Sequence, residues 1–145
     1  MPGPLDALID AFVAQQRAPC GTLVRPSRTA DEVLSPQTAK VARALDGTAL
    51  YFSRSPIPFS RDAGGPRDCD IHIGVYIYRR DFLLTFSGLG QGPLEQAEKL
   101  EQLRVLEHGH VMMTVSTQSE FRGVDTPEDL ERVRAEVHAR RLRPI

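Results

Sequence analysis

One carboxylate in the stretch Gly123-Val124-Asp125-Thr126-Pro127-Glu128-Asp129-Leu130 is placed to do chemistry. Thr126 suits a helix N-cap, Pro127 the first helical position and Asp129 the acid of a capping box. Those three residues have a structural task. Asp125 has none: it stands one residue before the cap, where the chain leaves a strand and enters a helix. A carboxylate fixed there can hold a metal ion or a substrate group. A single carboxylate rarely makes a metal site, so Asp125 needs a partner.

Three other groups of residues could carry chemistry. In an extended run Ile71, Ile73, Val75 and Ile77 share one apolar face, and His72, Gly74, Tyr76 and Tyr78 share the other. Gly74 leaves a gap between His72 and Tyr76, so this second face reads either as the floor of a pocket or as a solvated surface. On a helix from Pro93 to Glu107, Leu94, Ala97, Leu100, Leu103 and Leu106 form a wide apolar stripe, with Glu101 and Arg104 inside it. Buried charges need partners, so these two pair with each other at i, i+3, meet a substrate or meet a second subunit, unless the helix is less buried than its stripe suggests. Arg54 and Arg61 bracket a loop stiffened by Pro56 and Pro58, and fixed guanidinium groups suit carboxylate or phosphate recognition.

The elements that must position these groups follow from periodicity and breakers. Leu5, Leu8, Ile9, Phe12 and Val13 predict an opening amphipathic helix, and Thr22 to Val24 a short strand. Ala30 to Val33 predicts a turn of helix before Pro36. Asp46-Gly47 between Val41–Leu45 and Ala49–Phe52 is a hairpin signal. Ile71 to Arg79 is the clearest strand, followed by a short helix from Arg80 to Phe86. Glycines at 88, 90 and 92 precede the helix from Pro93, His110 to Ser116 reads as a strand, and Thr126 to about Ala139 as the last helix. Strands alternating with helices late in the chain predict an α/β fold with a partly parallel sheet.

Composition bounds the rest. A chain of 145 residues is one domain by length. A net charge of -1 gives no general attraction to nucleic acid or anionic membrane. Cys20 and Cys69 lack nearby cysteine partners, which argues against a disulfide framework or a zinc site and for a reducing, cytoplasmic setting. No run approaches the roughly 18 apolar residues of a membrane span.

Four segments together resemble the CMP-KDO synthetases (3-deoxy-manno-octulosonate cytidylyltransferases). They are Ala49-Leu50-Tyr51-Phe52-Ser53-Arg54-Ser55-Pro56-Ile57-Pro58; His72-Ile73-Gly74-Val75-Tyr76 with Tyr78-Arg79; Pro93-Leu94-Glu95-Gln96 with Leu100-Glu101-Gln102-Leu103-Arg104; and Gly123 to Val133. The resemblance runs from about Leu5 to Val137 in the family's order. It implies the C-terminal half of a Rossmann-like nucleotide-diphospho-sugar transferase fold: a mixed sheet flanked by helices, with a β-hairpin element. The activity it implies is transfer of CMP from CTP to the acidic sugar KDO, with release of pyrophosphate, for lipopolysaccharide biosynthesis. By resemblance Arg54, Arg61, His72, Tyr76, Glu101 and Gln102 line the sugar side. Asp125 matches a catalytic aspartate that ligates magnesium, and the family forms homodimers.

The sequence departs from that pattern at its start. The family's phosphate loop and its Gln-x-Asp-x-Pro segment, which carries the other metal aspartate, have no counterpart here. The expectation is therefore a single sugar-binding and dimerisation unit that lacks the CTP-binding half and is inactive alone, with room for a separate N-terminal half. The competing expectations are a non-catalytic sugar-acid-binding or dimerisation module and an inactive remnant. The stretch from Ala63 to Asp70 is shorter than the family's loop, and Gln37 to Ala44 matches loosely.

Overall fold

Five residues from Cys20 to Val24, all buried, make the central strand around which the chain is organised. The computed structural model describes residues 3–61, 69–119, 121, 124 and 126–141. In chain order the elements are α1 (Pro4–Ala14), β1 (Cys20–Pro26), α2 (Ala30–Leu34), β2 (Lys40–Arg43), β3 (Ala49–Ser53), β4 (Asp70–Tyr78), α3 (Arg80–Gly88), α4 (Pro93–Glu98), α5 (Leu103–Glu107), β5 (Met112–Ser116) and α6 (Pro127–Arg141). The strands form one sheet in the order β3-β2-β4-β1-β5. β1 runs parallel to β5 and antiparallel to β4, and β2 runs antiparallel to both β3 and β4. The mixed α/β sheet with a hairpin is the architecture that the sequence implied.

Apolar residues cover both faces of the sheet. On one face Cys20, Val24, Phe52, Phe82, Leu103 and Met112 form the larger core. On the other, Leu8 of α1 packs with Leu23 and Ile73. The alternation read along β4 thus holds, with Ile73 on one side and Tyr76 and Tyr78 on the other. Asp46-Gly47 makes the turn between β2 and β3, with Gly47 at φ 81°, a conformation glycine adopts without strain. Thr114 ties that turn to β5: its amide and its hydroxyl both donate to the Gly47 carbonyl, at 3.0 and 2.6 Å.

Three sequence expectations are corrected here. The helix expected over Pro93–Glu107 is two helices, broken where Lys99 turns left-handed at φ 54°. On the last residue before the break, the Glu98 carboxylate bonds to Ser53 and Arg54. The apolar stripe splits with it: Leu100 and Leu103 are buried, whereas Leu94 and Ala97 are exposed. Arg104 pairs with Glu95, not with Glu101, through Nε–Oε2 at 2.7 Å and Nη2–Oε1 at 2.5 Å. Finally, only Leu8 and Phe12 of the α1 stripe are buried, while Leu5, Ile9 and Val13 face outward.

The last helix starts as its sequence predicts. The Asp129 amide donates to the Thr126 hydroxyl at 3.1 Å, and the Thr126 amide donates to the Asp129 carboxylate at 3.2 Å. These two bonds are the capping box.

Candidate functional site

The β1–β4 pairing slips at one point. Thr22 faces Tyr76, but Leu23 faces Ile73, so Gly74 and Val75 have no partner on β1. Because the bulge adds two residues, the side-chain faces keep their alternation beyond it. It also swings two β4 carbonyls toward one side chain. The carbonyls of Ile73 and Val75 lie 3.0 and 2.8 Å from Thr22 Oγ1. His72 Nε2 lies 3.0 Å from the same oxygen. On the other edge of the ring Nδ1 faces Gln102 Nε2 at 3.5 Å, and the Tyr76 hydroxyl donates to Gln102 Oε1 at 3.2 Å. Three sugar-side residues implied by the sequence are therefore one connected cluster: His72, Tyr76 and Gln102.

The β4 face read from the sequence as a pocket floor or a solvated surface is half-buried around an exposed Gly74 and lined by an aromatic row. Phe52 meets the His72 ring edge-on at 5.2 Å, Tyr76 lies 5.4 Å from His72, and Tyr78 lies 6.1 Å from Tyr76. The row continues into α3 through Phe82 and Phe86. Gly74 is the exposed break in it, and a Cβ there would meet nothing within 4 Å. Burial pushes His72 down to about 4, so its ring is neutral near pH 7. Burial likewise raises the phenols of Tyr76 and Tyr78, the latter to about 12.

A second cluster lies beside the first along the α4–α5 segment. The Glu98 carboxylate accepts from Ser53 Oγ at 2.6 Å, the Arg54 amide at 2.9 Å and the Tyr51 hydroxyl at 3.4 Å. Burial by itself would raise this carboxyl, but those hydrogen bonds and the Arg54 charge outweigh it and hold the group below its ordinary value. Arg54 is gripped by backbone carbonyls: Nε by Glu98 at 2.8 Å, Nη1 by Pro36 at 2.8 Å and Nη2 by Lys99 at 3.4 Å. A guanidinium has five N–H donors, so two stay available beyond these contacts. Beneath it Lys40, fully buried, donates to the carbonyls of Ser35, Thr38 and Arg54 at 2.6, 2.7 and 2.6 Å. Three acceptors match the three protons of an ammonium, and burial lowers the lysine from its ordinary value.

The remaining sequence candidates stand apart from this cluster or outside view. Glu101 is exposed between buried Leu100 and Gln102, and its charge raises the phenols of Tyr76 and Tyr78. Arg61 is exposed at the end of the Pro56–Pro58 loop. Asp125 lies outside the described residues. Among the described residues no group of three or more His, Cys, Asp or Glu could hold a metal ion. Sequence reasoning missed Thr22 and Glu98. The signal for Thr22 was a lone hydroxyl inside the buried run Cys20–Val24. Glu98 carried no signal, because its partners lie some 45 residues away in the chain.

The family model described as Cytidylyltransferase matches residues 2–119. The chain belongs to the cytidylyltransferase family. Among curated relatives, the 3-deoxy-manno-octulosonate cytidylyltransferase of Solibacter usitatus is 46% identical over 132 residues, covering 91% of this chain and 52% of that protein. The enzyme of the same name from Myxococcus xanthus is 51% identical over 120 residues, covering 83% of this chain and 48% of that protein. A solved structure of CMP:2-keto-3-deoxy-manno-octonic acid synthetase complexed with CTP superposes with a TM-score of 0.86 at 39% identity, covering 94% of this chain and 56% of that one. The resemblance to CMP-KDO synthetases and the Rossmann-like mixed α/β fold are thereby established for this chain. It spans about half the length of the curated relatives it matches. Among the described residues no helix is long and apolar enough to cross a membrane.

Proposed function

We propose that this cytidylyltransferase chain is the sugar-acid-binding portion of a 3-deoxy-manno-octulosonate cytidylyltransferase. The observation that carries the reading is the joining of His72, Gln102 and Tyr76 into one hydrogen-bonded cluster. These are residues the family resemblance puts on the sugar side, in a chain 46% identical to an enzyme of that name. In the proposed reaction the anomeric hydroxyl of KDO attacks the α-phosphorus of CTP, a new P–O bond forms, and pyrophosphate leaves with the electrons of the broken bond. The chain's own residues bind and orient the sugar. Tyr76 meets a sugar hydroxyl and buried Gln102 orients it, and Arg54 and Arg61 offer guanidinium donors to the sugar carboxylate and nearby phosphate charge. Neutral His72 holds the Gln102 amide and carries no charge toward the acid.

Asp125 is the residue we assign to magnesium. Magnesium keeps waters and takes much of its coordination from substrate phosphates, so Asp125 with one further carboxylate suffices to hold it. When bound, magnesium neutralises the phosphate charge that develops during transfer.

The CTP contacts and a second metal carboxylate are proposed to come from polypeptide outside these 145 residues. One observation favours a further segment packing here. β2 meets β4 only at Lys40–Ile71 and Val41–Asp70, so among the described residues no strand lies along Gly74–Tyr78 on the side away from β1. Such an edge, with half-buried aromatic and aliphatic side chains on its two faces, is a template for another strand. Homodimerisation and a cytoplasmic setting complete the proposal. The exposed Leu45 at the hairpin tip and Leu50 on β3 offer apolar surface for a second copy.

Pyrophosphate release from CTP, KDO and magnesium tests the reading. The chain alone is expected to give none, and addition of a polypeptide matching the remaining half of the Solibacter usitatus relative is expected to restore release. Turnover by the chain alone would overturn the proposed division of labour. Failure of every such combination, with both polypeptides folded, would overturn the enzymatic reading in favour of a non-catalytic binding module.

A further inference from the structure

We propose that Thr22 is a positioning residue that sets the hydrogen-bond polarity of the sugar-side cluster, turning Tyr76 into an acceptor toward the ligand. The ligand half of this statement rests on the functional reading above. The polarity half rests on the structure alone. The two carbonyls that the bulge aims at Thr22 can only accept. Thr22 has one hydroxyl proton, and with the Ile73 and Val75 carbonyls at 3.0 and 2.8 Å it donates that proton to one of them. Its oxygen is then left to accept at 3.0 Å from His72, so Nε2 carries the ring proton.

The rest of the chain of bonds follows in order. A neutral ring protonated at Nε2 has a bare Nδ1, which accepts from the Gln102 amide nitrogen at 3.5 Å. That choice turns the Gln102 carbonyl oxygen toward Tyr76, whose hydroxyl donates to it at 3.2 Å. The Tyr76 proton is therefore committed inward. What the phenol offers outward is lone pairs, which take a ligand O–H and repel a ligand carboxylate or phosphate oxygen. Thr22 is fully buried and touches no ligand, so it acts only through His72. The chain thus discriminates at this point for a hydroxyl-rich face of the sugar and against its anionic end.

The test reads the ring proton directly. In the 15N-labelled chain, long-range proton–nitrogen correlations distinguish Nε2–H from Nδ1–H for each of the four histidines, with a His72→Gln variant assigning the relevant signals. The expected result is the Nε2–H form in the wild type and in Thr22→Ser, and its loss to the other or a mixed form in Thr22→Val. KDO affinity measured by calorimetry should fall about tenfold in Thr22→Val and stay within about threefold in Thr22→Ser. An Nδ1–H ring in the wild type would overturn the proposal with no variant needed. Retention of Nε2–H in a folded Thr22→Val would overturn it as well. Wild-type chain with the expected tautomer but no KDO affinity would instead sink the functional reading and its ligand half, and leave the polarity half standing.

Discussion

Replacing Glu95 by leucine should cost more stability than any other single carboxylate change on α4. Glu95 is 5% exposed and meets Arg104 through two bonds, at 2.7 and 2.5 Å. The Arg104 guanidinium also lies 4.9 Å from the centre of the Phe86 ring, so it has little freedom to swing out to water. Removing one member of such a pair leaves a desolvated charge behind, at a cost of about 3 kcal/mol or more. Arg104→Met should cost a similar amount for the mirrored reason, because it strands the Glu95 carboxylate. The double variant Glu95→Leu, Arg104→Met removes both charges and loses mainly the contact with Phe86. It should lie within about 1 kcal/mol of wild type. Urea unfolding followed by circular dichroism, fitted with a shared m-value, gives the cycle.

The pH dependence of that cycle has a definite sign. The hydrogen bonds from Arg104 hold the Glu95 carboxyl below its ordinary value of 4.5 in the folded chain. The pair's stabilisation is then fully present above pH 4.5 and fades as pH falls through the lower folded value. The gap between wild type and Glu95→Leu should close in acid. Costs that simply add, to within about 0.5 kcal/mol, would refute the pairing. So would a small effect of Glu95→Leu beside a large one of Glu101→Gln, because the i, i+3 pair suggested by sequence would then be the real one.

Two further outcomes follow from the same reasoning. Gly92→Ala places a Cβ on the Glu107 carboxylate, which accepts from the amides of Leu94 and Glu95 at 2.8 and 3.0 Å; loss of this cap should cost about 1–2 kcal/mol in thermal or urea unfolding, and unchanged stability would contradict the cap. Burial keeps His72 neutral in the fold down to about pH 4, whereas the unfolded ring takes a proton near 6.5, so its contribution is lost progressively as pH falls between these values, by about 3 kcal/mol in all. The stability difference between wild type and His72→Gln should follow that slope, and a difference flat in pH would show that the ring is charged or exposed.

Elements with short-range signatures were legible in the sequence. The period-two run along β4, the Asp46-Gly47 turn and the Thr126–Asp129 capping box depend on neighbours within a few residues, and each appears as read. What failed to read depends on distant contacts. Nothing near Lys99 breaks a helix by composition. Beside the break Glu98 bonds to Ser53 and Arg54, some 45 residues away in the chain. The outward-facing Leu5, Ile9 and Val13 obey helical spacing as well as Leu8 and Phe12 do, so spacing alone could not separate them. Within the candidate site His72, Tyr76 and Gln102 came from motif resemblance. Thr22, which orders them, did not, because its role arises from a bulge that no local sequence pattern announces.

Titration of KDO into the folded chain in the absence of nucleotide tests the central claim most directly. The account predicts saturable, single-site heat, weakened about tenfold in Gln102→Leu, whose side chain can no longer bridge His72 and Tyr76. No heat from the folded wild type, or equal heat from the variant, would contradict it.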